Sequence, residues 1–360
     1  MHSEAPATTV CPDVVVPQYR SDAVELYQGD SLAVLPTLPD NSVDLILTDP
    51  PYYRVKADAW DRQWPTPAAY LRWLDAVLAQ FARVLRPNGS LYIFASPDMA
   101  ARVEVGVGAR FEVINRITWR KAEGWHKAAC KEDLRSFFPV SEAIIFAEHV
   151  GADNMAKGEA GYEAKCDELR GFIFEPLRSW MRNAMLAAGL TPKDINRAVG
   201  SSPSGGGMAS HYVGKTGQWE LPTEGHYAAI QALAPAHFQR KYDDLRRQYD
   251  DLRRQYDDLR RQYDDLRRPF QITADVPYTD VWDFPTVGYY KGKHPCEKPQ
   301  PLLRHIIAAS SRPGAVVLDA FFGSGATGEA AAALGRRCIG VEMSCEWCER
   351  AAKRLGLGLL

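Results

Sequence analysis

Strands and helices alternate at both ends of this chain, and that alternation restricts the fold more than any other feature of the sequence. Near the N-terminus, residues 23–27 and 43–47 are short apolar runs typical of strands, and a short helix is predicted over 31–38. Near the C-terminus, residues 316–318 and 337–341 are strand-like, and a helical segment follows each. Alternating strands and helices form mostly parallel sheets with helices on their faces. The sequence therefore predicts an α/β fold whose two parts are far apart in the chain.

The N-terminal part continues with one long amphipathic helix and several further strands. Apolar residues recur at helical spacing over 70–85, which predicts a helix with one buried face. The turn residues 86–89 are expected to end that helix, and 90–94 to resume as a strand. Residues 113–119 and 142–146 are further strand candidates.

The middle of the chain, residues 151–235, has a helical pattern. A helix is predicted over 176–188 and ends at Gly189, and Thr191 is expected to cap a second short helix that runs to Val199. Two short helices joined by a glycine-containing turn are typical of a helix-turn-helix, although such pairs also occur in proteins that do not bind DNA.

A strict heptad repeat, Tyr-Asp-Asp-Leu-Arg-Arg-Gln, follows between residues 242 and 268. Tyrosine and leucine fall on one seam, as at the a and d positions of a coiled coil. Aspartate and arginine four residues apart can pair on the outer face. The repeat predicts a protruding helix of ~40–50 Å at a rise of ~1.5 Å per residue. Its pattern leaves open a solvated arm, a homodimer contact and a spacer.

Composition argues against several classes of protein. No apolar run approaches the ~20 residues of a membrane-spanning helix, and residues 1–19 have the pattern of a loose tail rather than a signal peptide, so we expect a cytoplasmic protein. Cys345 and Cys348 form a single C-x-x-C within a predicted helix, so no metal site is predicted. The net charge of −2 indicates no overall basic field, but basic and aromatic residues concentrate over 116–135.

One chemically distinctive motif, Thr48-Asp49-Pro50-Pro51-Tyr52, follows the strand at 43–47. Open α/β sheets place their active sites at the carboxyl ends of strands. The two prolines hold an extended backbone without N–H donors, so that the Pro50 carbonyl points in a fixed direction. Asp49 adds a second acceptor and Tyr52 adds a flat aromatic face. Two acceptors beside an aromatic ring suit a planar base that carries an amino group.

A second motif contains Asp319, Gly323, Gly325 and Gly328, and Glu342 ends the next strand. Glycines at a strand-to-helix turn let the backbone approach a ligand closely, and an acidic residue on the next strand can hold ribose hydroxyls. The spacing also fits the G-x-G-x-x-G fingerprint of NAD-dependent oxidoreductases. Asp319, however, would face a pyrophosphate unfavourably, and the first motif has no role in hydride transfer.

Together, Asp-Pro-Pro-Tyr at 49–52 and Asp-x-Phe-x-Gly-Ser-Gly-x-Thr at 319–327 resemble the amino-methylating DNA methyltransferases. The catalytic motif precedes the cofactor motif, as in the β class of that family. The segments 29–31 and 294–299 (His-Pro-x-x-Lys-Pro) also resemble that family. The resemblance implies a permuted Rossmann-like, S-adenosylmethionine-dependent methyltransferase fold with a helical target-recognition insertion and a protruding heptad-repeat helix. The implied regions are a tail at 1–19, a catalytic half at 20–150, target recognition at 151–235, the heptad helix at 236–268 and a cofactor half at 269–360.

The resemblance also implies roles for individual residues. A target base would flip out of double-stranded DNA and present its amino group to the motif at 49–52. The implied catalytic residues are Asp49, Pro50, Pro51 and Tyr52. The implied S-adenosylmethionine-binding residues are Asp30, Lys298, Asp319, Phe321, Gly323, Ser324, Gly325, Thr327 and Glu342. The predicted DNA-binding residues are Trp60, Arg120, Lys121, Lys127, Ser201, Ser204, Ser210, His211, Lys215, Thr216 and Gln218.

Several alternatives remain at this stage. Within the family, aspartate at the first motif position is associated mostly with adenine N6, which favours adenine over cytosine N4. A non-catalytic DNA-binding regulator built on the helical middle is an alternative of another class. Cys296 follows a proline, as does the nucleophile of cytosine-C5 methyltransferases, but its place within the His-Pro-x-x-Lys-Pro segment indicates an incidental match. The family often dimerises, so a homodimer is expected.

Overall fold

The computed structural model describes residues 16–55, 61–121, 135, 137, 139–202, 207–214, 219–272 and 278–359. The chain divides into two compact units. The first unit comprises Met1–Ala152 and Arg268–Leu360, and the second unit is Asp153–Arg267.

The strands of the first unit form one large sheet. In chain order, the strands in the described residues are β1 (Tyr19–Arg20), β2 (Val24–Gln28), β3 (Val43–Thr48), β4 (Leu85–Ala95), β5 (Glu112–Lys121), β6 (Ser141–Glu148), β7 (Met155–Ala156), β8 (Glu159–Ala160), β9 (Val281–Phe284), β10 (Val316–Asp319), β11 (Arg337–Glu342) and β12 (Gly358–Leu359). The order in the large sheet is β12-β1-β2-β11-β10-β3-β4-β6-β5-β9, and β7 pairs with β8 in the second unit.

The centre of the large sheet is parallel, as the sequence predicts. Strands β2, β11, β10, β3 and β4 run in the same direction, whereas β6 is antiparallel to both β4 and β5. The predicted α/β architecture is therefore confirmed. It also brings the N-terminal and C-terminal parts of the chain into one sheet.

Helices cover both faces of this sheet. The helices of the first unit are α1 (Ser31–Val34), α2 (Pro67–Val84), α3 (Ala100–Gly108), α10 (Gln300–Ser310), α11 (Ala326–Ala333) and α12 (Cys345–Leu355), with a 3-10 helix at Leu35–Thr37. Buried residues of α2 and α3 pack with Ile46 of β3, whereas those of α10, α11 and α12 pack with Leu45 and Leu47. Because successive strand residues point to opposite faces, β3 is apolar on both sides.

The predicted turn at 86–89 is wrong. Helix α2 ends at Val84, and β4 begins at Leu85 without an intervening loop. A Cβ on Gly89 would lie 2.5 Å from Leu85 Cδ1, so glycine permits the close approach of the chain to Leu85. Arg86, at the start of the strand, pairs with Asp44 at 2.7 Å. The polar turn residues therefore continue the strand at its exposed end.

The second unit is helical. Its helices are α4 (Tyr162–Ile173), α5 (Glu175–Ala187), α6 (Pro192–Ala198), α7 (Ala209–Val213), α8 (Glu224–Leu233) and α9 (Tyr242–Tyr263), with a 3-10 helix at Asp264–Leu266. Thr191 and Asp194 form a capping box at the start of α6. The short helix pair predicted around Gly189 is therefore present as α5 and α6.

The heptad repeat forms α9, but that helix does not protrude freely as predicted. Leu245 and Tyr256 of its apolar seam are buried within the second unit, where Phe174 stacks on Tyr249. The helix has 22 residues and so spans ~33 Å, less than the predicted length. The seam is used within its own chain, so the repeat provides no argument for a homodimer. On the outer face arginines pair with aspartates, as between Arg247 and Asp244 at 2.5 Å.

Among the helices of the described part of the chain, none has the length and apolar character to cross a membrane.

Candidate active site

Two motifs that are remote in sequence meet at the carboxyl ends of adjacent strands. Strands β3 and β10 are parallel neighbours, with Leu45 opposite Val317 and Ile46 opposite Leu318. Thr48 Oγ1 donates a hydrogen bond of 2.9 Å to Asp319 Oδ1 and accepts one of 3.2 Å from the Ala320 backbone N–H. The motif at 48–52 and the glycine-rich turn therefore form one site.

A cleft of about 290 Å³ opens at this edge of the sheet. Its volume is close to that of pockets that bind small molecules. It is lined by residues that the sequence assigned to catalysis and by most of those assigned to the cofactor. These are Asp30, Asp49, Pro50, Pro51, Tyr52, Lys298, Asp319, Phe321, Gly323, Ser324, Thr327 and Glu342. Gly325 does not line the cleft but adopts φ +80° as the N-cap of α11.

Hydrogen bonds to the Glu342 carboxylate fix the backbone of the glycine-rich turn and of the segment after β11. The two carboxylate oxygens accept 2.8 Å hydrogen bonds from the Gly323 and Ser344 backbone N–H groups. Gly323 has φ +52°, and a Cβ there would lie 3.3 Å from the His294 ring. This cradle fits a ligand that approaches the backbone closely.

Gly328, the third fingerprint glycine, serves packing. A Cβ at Gly328 would lie 2.6 Å from Phe322 Cζ, and one at Gly340 would lie equally close to the same ring. The buried Phe322 ring therefore requires glycine in both α11 and β11.

Burial changes the acidity of both carboxyl groups around this turn. It raises the pKa of Asp319 to about 6, while hydrogen bonds from Thr327, the Phe321 backbone and Thr48 oppose the rise. Burial likewise raises the pKa of Glu342, and backbone N–H donors oppose it. Asp319 therefore titrates close to neutrality.

Asp30, which follows β2, also lines the cleft. Its side chain caps α1 by accepting a 2.9 Å hydrogen bond from the Leu32 backbone N–H. The next residue, Ser31, is buried and donates a 2.6 Å hydrogen bond to the Ala320 carbonyl. The acidic turn is thereby joined to the chain segment that follows β10.

The carboxylate of Asp49 has one engaged and one available oxygen. Lys298 Nζ lies 2.5 Å from Oδ2. Oδ1 is buried and has no hydrogen-bond partner among the described residues. Burial raises the pKa of Asp49, although the Lys298 ammonium opposes the rise. An unmatched buried acceptor is costly, so this oxygen is suited to a donor that a ligand supplies.

Tyr52 is fixed by its hydroxyl. The group donates a 3.0 Å hydrogen bond to Glu142 Oε2 and accepts one of 3.1 Å from Lys298. Burial, with the Asp49 and Glu142 carboxylates, raises the pKa of Tyr52 well above its ordinary value, so the hydroxyl remains a donor. The ring lines the cleft beside Asp49.

The chain leaves this motif through an unusual turn. Tyr53 and Arg54 both have positive φ, at 61° and 64°, which is uncommon outside glycine. The Arg54 backbone N–H donates a 2.8 Å hydrogen bond to the carbonyl of Asp61. Asp61 is buried and lines the cleft. Strained backbone of this kind is concentrated at functional sites.

Two residues have contacts that the sequence does not predict. Lys298, which the resemblance assigns to the cofactor, lines the cleft, and its ammonium pairs with Asp49. Lys121, predicted to bind DNA, forms an ion pair with Glu142. Glu142, which the sequence did not single out, thus contacts both lysines and Tyr52. The available signal was an acidic residue at the start of an otherwise apolar strand.

The predicted DNA-binding residues do not form one surface that the structure describes. Arg120 pairs with Asp283 at 2.5 Å on the exposed edge of the sheet. Ser201 accepts a 3.0 Å hydrogen bond from the Met208 backbone N–H, and Ser210 donates to the Gly207 carbonyl, so both hydroxyls stabilise the loop before α7. His211 lies on α7. The remaining candidates lie outside the described residues: Trp60, Lys127, Ser204, Lys215, Thr216 and Gln218.

Cysteine chemistry and metal binding receive no support within the described part of the chain. Cys348 is buried in α12 whereas Cys345 is exposed, and no group of three or more potential metal ligands lies in the described residues. Cys296 lines the cleft, and its carbonyl lies 3.5 Å from Lys298 Nζ.

The chain is similar in sequence and in fold to known DNA methyltransferases. The sequence profile of the N6/N4 DNA methylase family matches residues 43–354. The chain is 26% identical to the DNA adenine methyltransferase YhdJ of Escherichia coli over 94% of its own length and 84% of that protein. A shorter segment, 21% of this chain and 30% of the relative, is 47% identical to the type II methyltransferase M2.DpnII of Streptococcus pneumoniae. Among solved structures, the PvuII DNA methyltransferase (cytosine-N4-specific) superposes with a TM-score of 0.51 at 15% identity, over 94% of this chain and 88% of that one, and so shares its fold.

Proposed function

We propose, given that this chain belongs to the N6/N4 DNA methylase family, that it transfers the methyl group of S-adenosylmethionine to N6 of adenine in double-stranded DNA. The observation that carries the proposal is the buried Oδ1 of Asp49 at the cleft, which no described residue supplies with a hydrogen bond. An exocyclic amino group supplies the N–H donor that this oxygen lacks.

Asp49 would act by orienting the amino nitrogen. Its Oδ1 accepts one amino hydrogen, and the Pro50 carbonyl is the second acceptor of the motif. Donation of both hydrogens favours a more tetrahedral nitrogen, whose lone pair is directed at the methyl group. As the N–C bond forms, the S–CH3 bond would break, S-adenosylhomocysteine would leave, and the methylated nitrogen would release one proton to solvent. The Tyr52 ring, fixed by Glu142 and Lys298, would stack on the base. The rate gain comes from positioning and electrostatics, without a covalent enzyme intermediate.

The glycine-rich turn would hold the methyl donor. S-adenosylmethionine, when bound, supplies an electrophilic methyl group on its sulfonium. The Gly323 cradle lets the backbone approach this cofactor, and Asp319 suits the ammonium group of its amino acid part. Glu342 suits the ribose hydroxyls, and Asp30 the adenine side. The fit rests on the glycine cradle and on the acidic residues that line the cleft.

Adenine is favoured over cytosine by two observations. The motif begins with Asp49, which the family associates mostly with adenine. The relative that aligns over 94% of this chain is named a DNA adenine methyltransferase. Cytosine N4 is the second candidate because the same acceptors suit its amino group, and the fold is shared with the cytosine-N4-specific PvuII enzyme.

Recognition of the DNA sequence is assigned, within this proposal, to the helical second unit. Its α5 and α6 form the predicted short helix pair, and polar residues follow α6. The ion-paired outer face of α9 is a poor phosphate-binding surface because aspartates neutralise its arginines.

Nucleoside mass spectrometry tests the proposal. Unmethylated bacterial DNA is incubated with the protein and S-adenosylmethionine, then digested to nucleosides. We expect N6-methyldeoxyadenosine from the wild type and none from Asp49→Ala. Detection of N4-methyldeoxycytidine instead would support the same methyl transfer with cytosine as the target base. If no methylated nucleoside forms although the protein still binds DNA, the proposed activity is wrong and a non-catalytic DNA-binding regulator is favoured.

A further inference from the structure

Glu142 is a mostly buried carboxylate that the catalytic motif does not contain. It lies near the start of β6, and its side chain is 11% exposed. Its Oε2 accepts a hydrogen bond from Tyr52 and lies 3.4 Å from Lys298 Nζ. Its Oε1 pairs with Lys121 Nζ. One side chain therefore contacts two residues that border Asp49.

These contacts form a row of alternating charges that starts in the cleft. Asp49 pairs with Lys298, Lys298 with Glu142, and Glu142 with Lys121. The side chain of Lys121 is the most exposed of the four, at 21%. The row balances two negative with two positive charges, and Lys298 pairs with both carboxylates.

Glu142 determines which partners are available to Lys298. The ammonium contacts Asp49 Oδ2, the Tyr52 hydroxyl and, more distantly, the Cys296 carbonyl. Glu142 attracts the same ammonium, which lies 3.4 Å from its Oε2. Without that attraction, Lys298 has Asp49 as its one carboxylate partner within the described residues, and the ammonium is free to bridge both Asp49 oxygens.

A purely structural ion pair would be a simpler role, but the geometry favours more. Buried ion pairs contribute little net stability compared with apolar packing. Here the carboxylate is also directed at the hydroxyl of the motif tyrosine, at 3.0 Å. Loss of that acceptor would free the Tyr52 ring to rotate in the cleft.

We propose that Glu142 is a positioning residue for amino-group methylation. It acts through Lys298, which it keeps on Oδ2 of Asp49 so that Oδ1 stays open to the base. It also acts through Tyr52, whose ring it orients. This inference rests on the proposed function and adds a residue to it.

The role has a pH signature. Among the described residues, the titratable groups that interact with Glu142 are Asp49, Tyr52, Lys121 and Lys298. Burial and the negative charge of Glu142 raise the pKa of Asp49. Removal of that charge lowers the pKa of Asp49, so methyl transfer should persist to lower pH although its maximal rate is reduced.

The test compares Glu142→Gln with Glu148→Gln. Glu148 lies on the same strand and pairs with Arg268, so it controls for loss of a partly buried carboxylate of β6. We expect Glu142→Gln to lower kcat about 10- to 100-fold, with KM for S-adenosylmethionine unchanged. In a plot of kcat against pH, the decrease at acid pH (the acid limb) should move to lower pH. Glu148→Gln should retain kcat and the wild-type pH profile. A wild-type kcat and an unmoved acid limb in Glu142→Gln would overturn the proposal.

Two further measurements distinguish failure of the Glu142 proposal from misfolding of the variant and from failure of the proposed function. Glu142→Asp retains the charge and should restore part of kcat, and it replaces Glu142→Gln if that variant does not fold. The Asp49 carboxyl, assigned by NMR with Asp49→Asn, should titrate at lower pH in Glu142→Gln than in the wild type. If the wild type methylates no DNA, the proposed function fails, and this titration alone decides whether Glu142 acts on Asp49. An unshifted titration would refute that action.

Discussion

The hydroxyl of Thr48 donates a 2.9 Å hydrogen bond to Asp319, and this buried contact joins two motifs separated by 271 residues. It is possible because β3 and β10 are adjacent parallel strands that end at the same level. The acceptor side and the glycine-rich side of the cleft therefore share a common support.

Thr48→Val removes this hydrogen bond while keeping the side-chain shape. Asp319 is buried and loses one donor, so we expect a loss of about 1–3 kcal/mol in the free energy of unfolding and weaker binding of S-adenosylmethionine. Urea denaturation and calorimetry measure the two effects. Thr37→Val is the control and should leave cofactor binding unchanged, since the Thr37 hydroxyl donates a local hydrogen bond to the Val34 carbonyl. Equal cofactor affinity in both variants would contradict the account.

Binding of S-adenosylmethionine should weaken as the pH falls through about 6, the raised pKa of Asp319. The ionised carboxylate would hold the ammonium group of the cofactor's amino acid part, and protonation removes that attraction. Because the folded-state pKa exceeds the ordinary 3.8, the stability contribution of protonated Asp319 in the cofactor-free protein is complete below about 3.8 and is lost as the pH rises through about 6. Calorimetric titration between these limits measures the affinity. Asp319→Asn should remove the pH dependence of binding, and an equally steep dependence in that variant would argue against the assignment.

Gly328→Ala should destabilise the protein, because the added methyl group would overlap the buried Phe322 ring. Overpacking of this kind costs about 1–3 kcal/mol. Gly171→Ala in α4 is the matched control, since nothing lies within 4 Å of its Cβ position. That helical substitution should stabilise by about 0.5–1 kcal/mol. Denaturation curves that move in the same direction for both variants would refute the packing role of Gly328.

Leu245→Ala should cost about 2–5 kcal/mol because its side chain is fully buried in the second unit. Arg247→Ala, on the outer face of the same helix, should cost about 0.5 kcal/mol or less since it loses one exposed ion pair. Thermal or urea unfolding compares the two variants. If Leu245→Ala instead dissociated a dimer without lowering the stability of the single chain, the seam would serve contacts between copies.

The sequence was sufficient to predict where the site lies. Thr48 and Asp319 each end an apolar strand, and the carboxyl ends of parallel strands meet at one edge of a sheet. The glycines after Asp319 and the acidic Glu342 could likewise be assigned from local pattern, because their roles depend on backbone shape within a single turn.

Long-range partners could not be predicted in this way. Glu142 meets Lys298 because β6 lies antiparallel beside β4, which no local pattern indicates. The heptad seam of α9 shows that an apolar face exists but not which surface covers it, and here helices of the same unit cover Leu245. The polar residues at 86–89 have turn composition, yet Gly89 lets the chain continue directly as a strand.

The most direct test of the central claim is single-turnover methyl transfer by Asp49→Asn, with S-adenosylmethionine affinity measured on the same preparation. The substitution keeps the shape of the side chain, and its one remaining oxygen should pair with the Lys298 ammonium as Oδ2 does. The amide NH2, a donor, would then replace Oδ1 beside the target amino group. We predict that transfer slows by about 10²- to 10³-fold while cofactor affinity changes by less than about threefold. Transfer at the wild-type rate would contradict the assignment of Asp49 as the acceptor that orients the target amine.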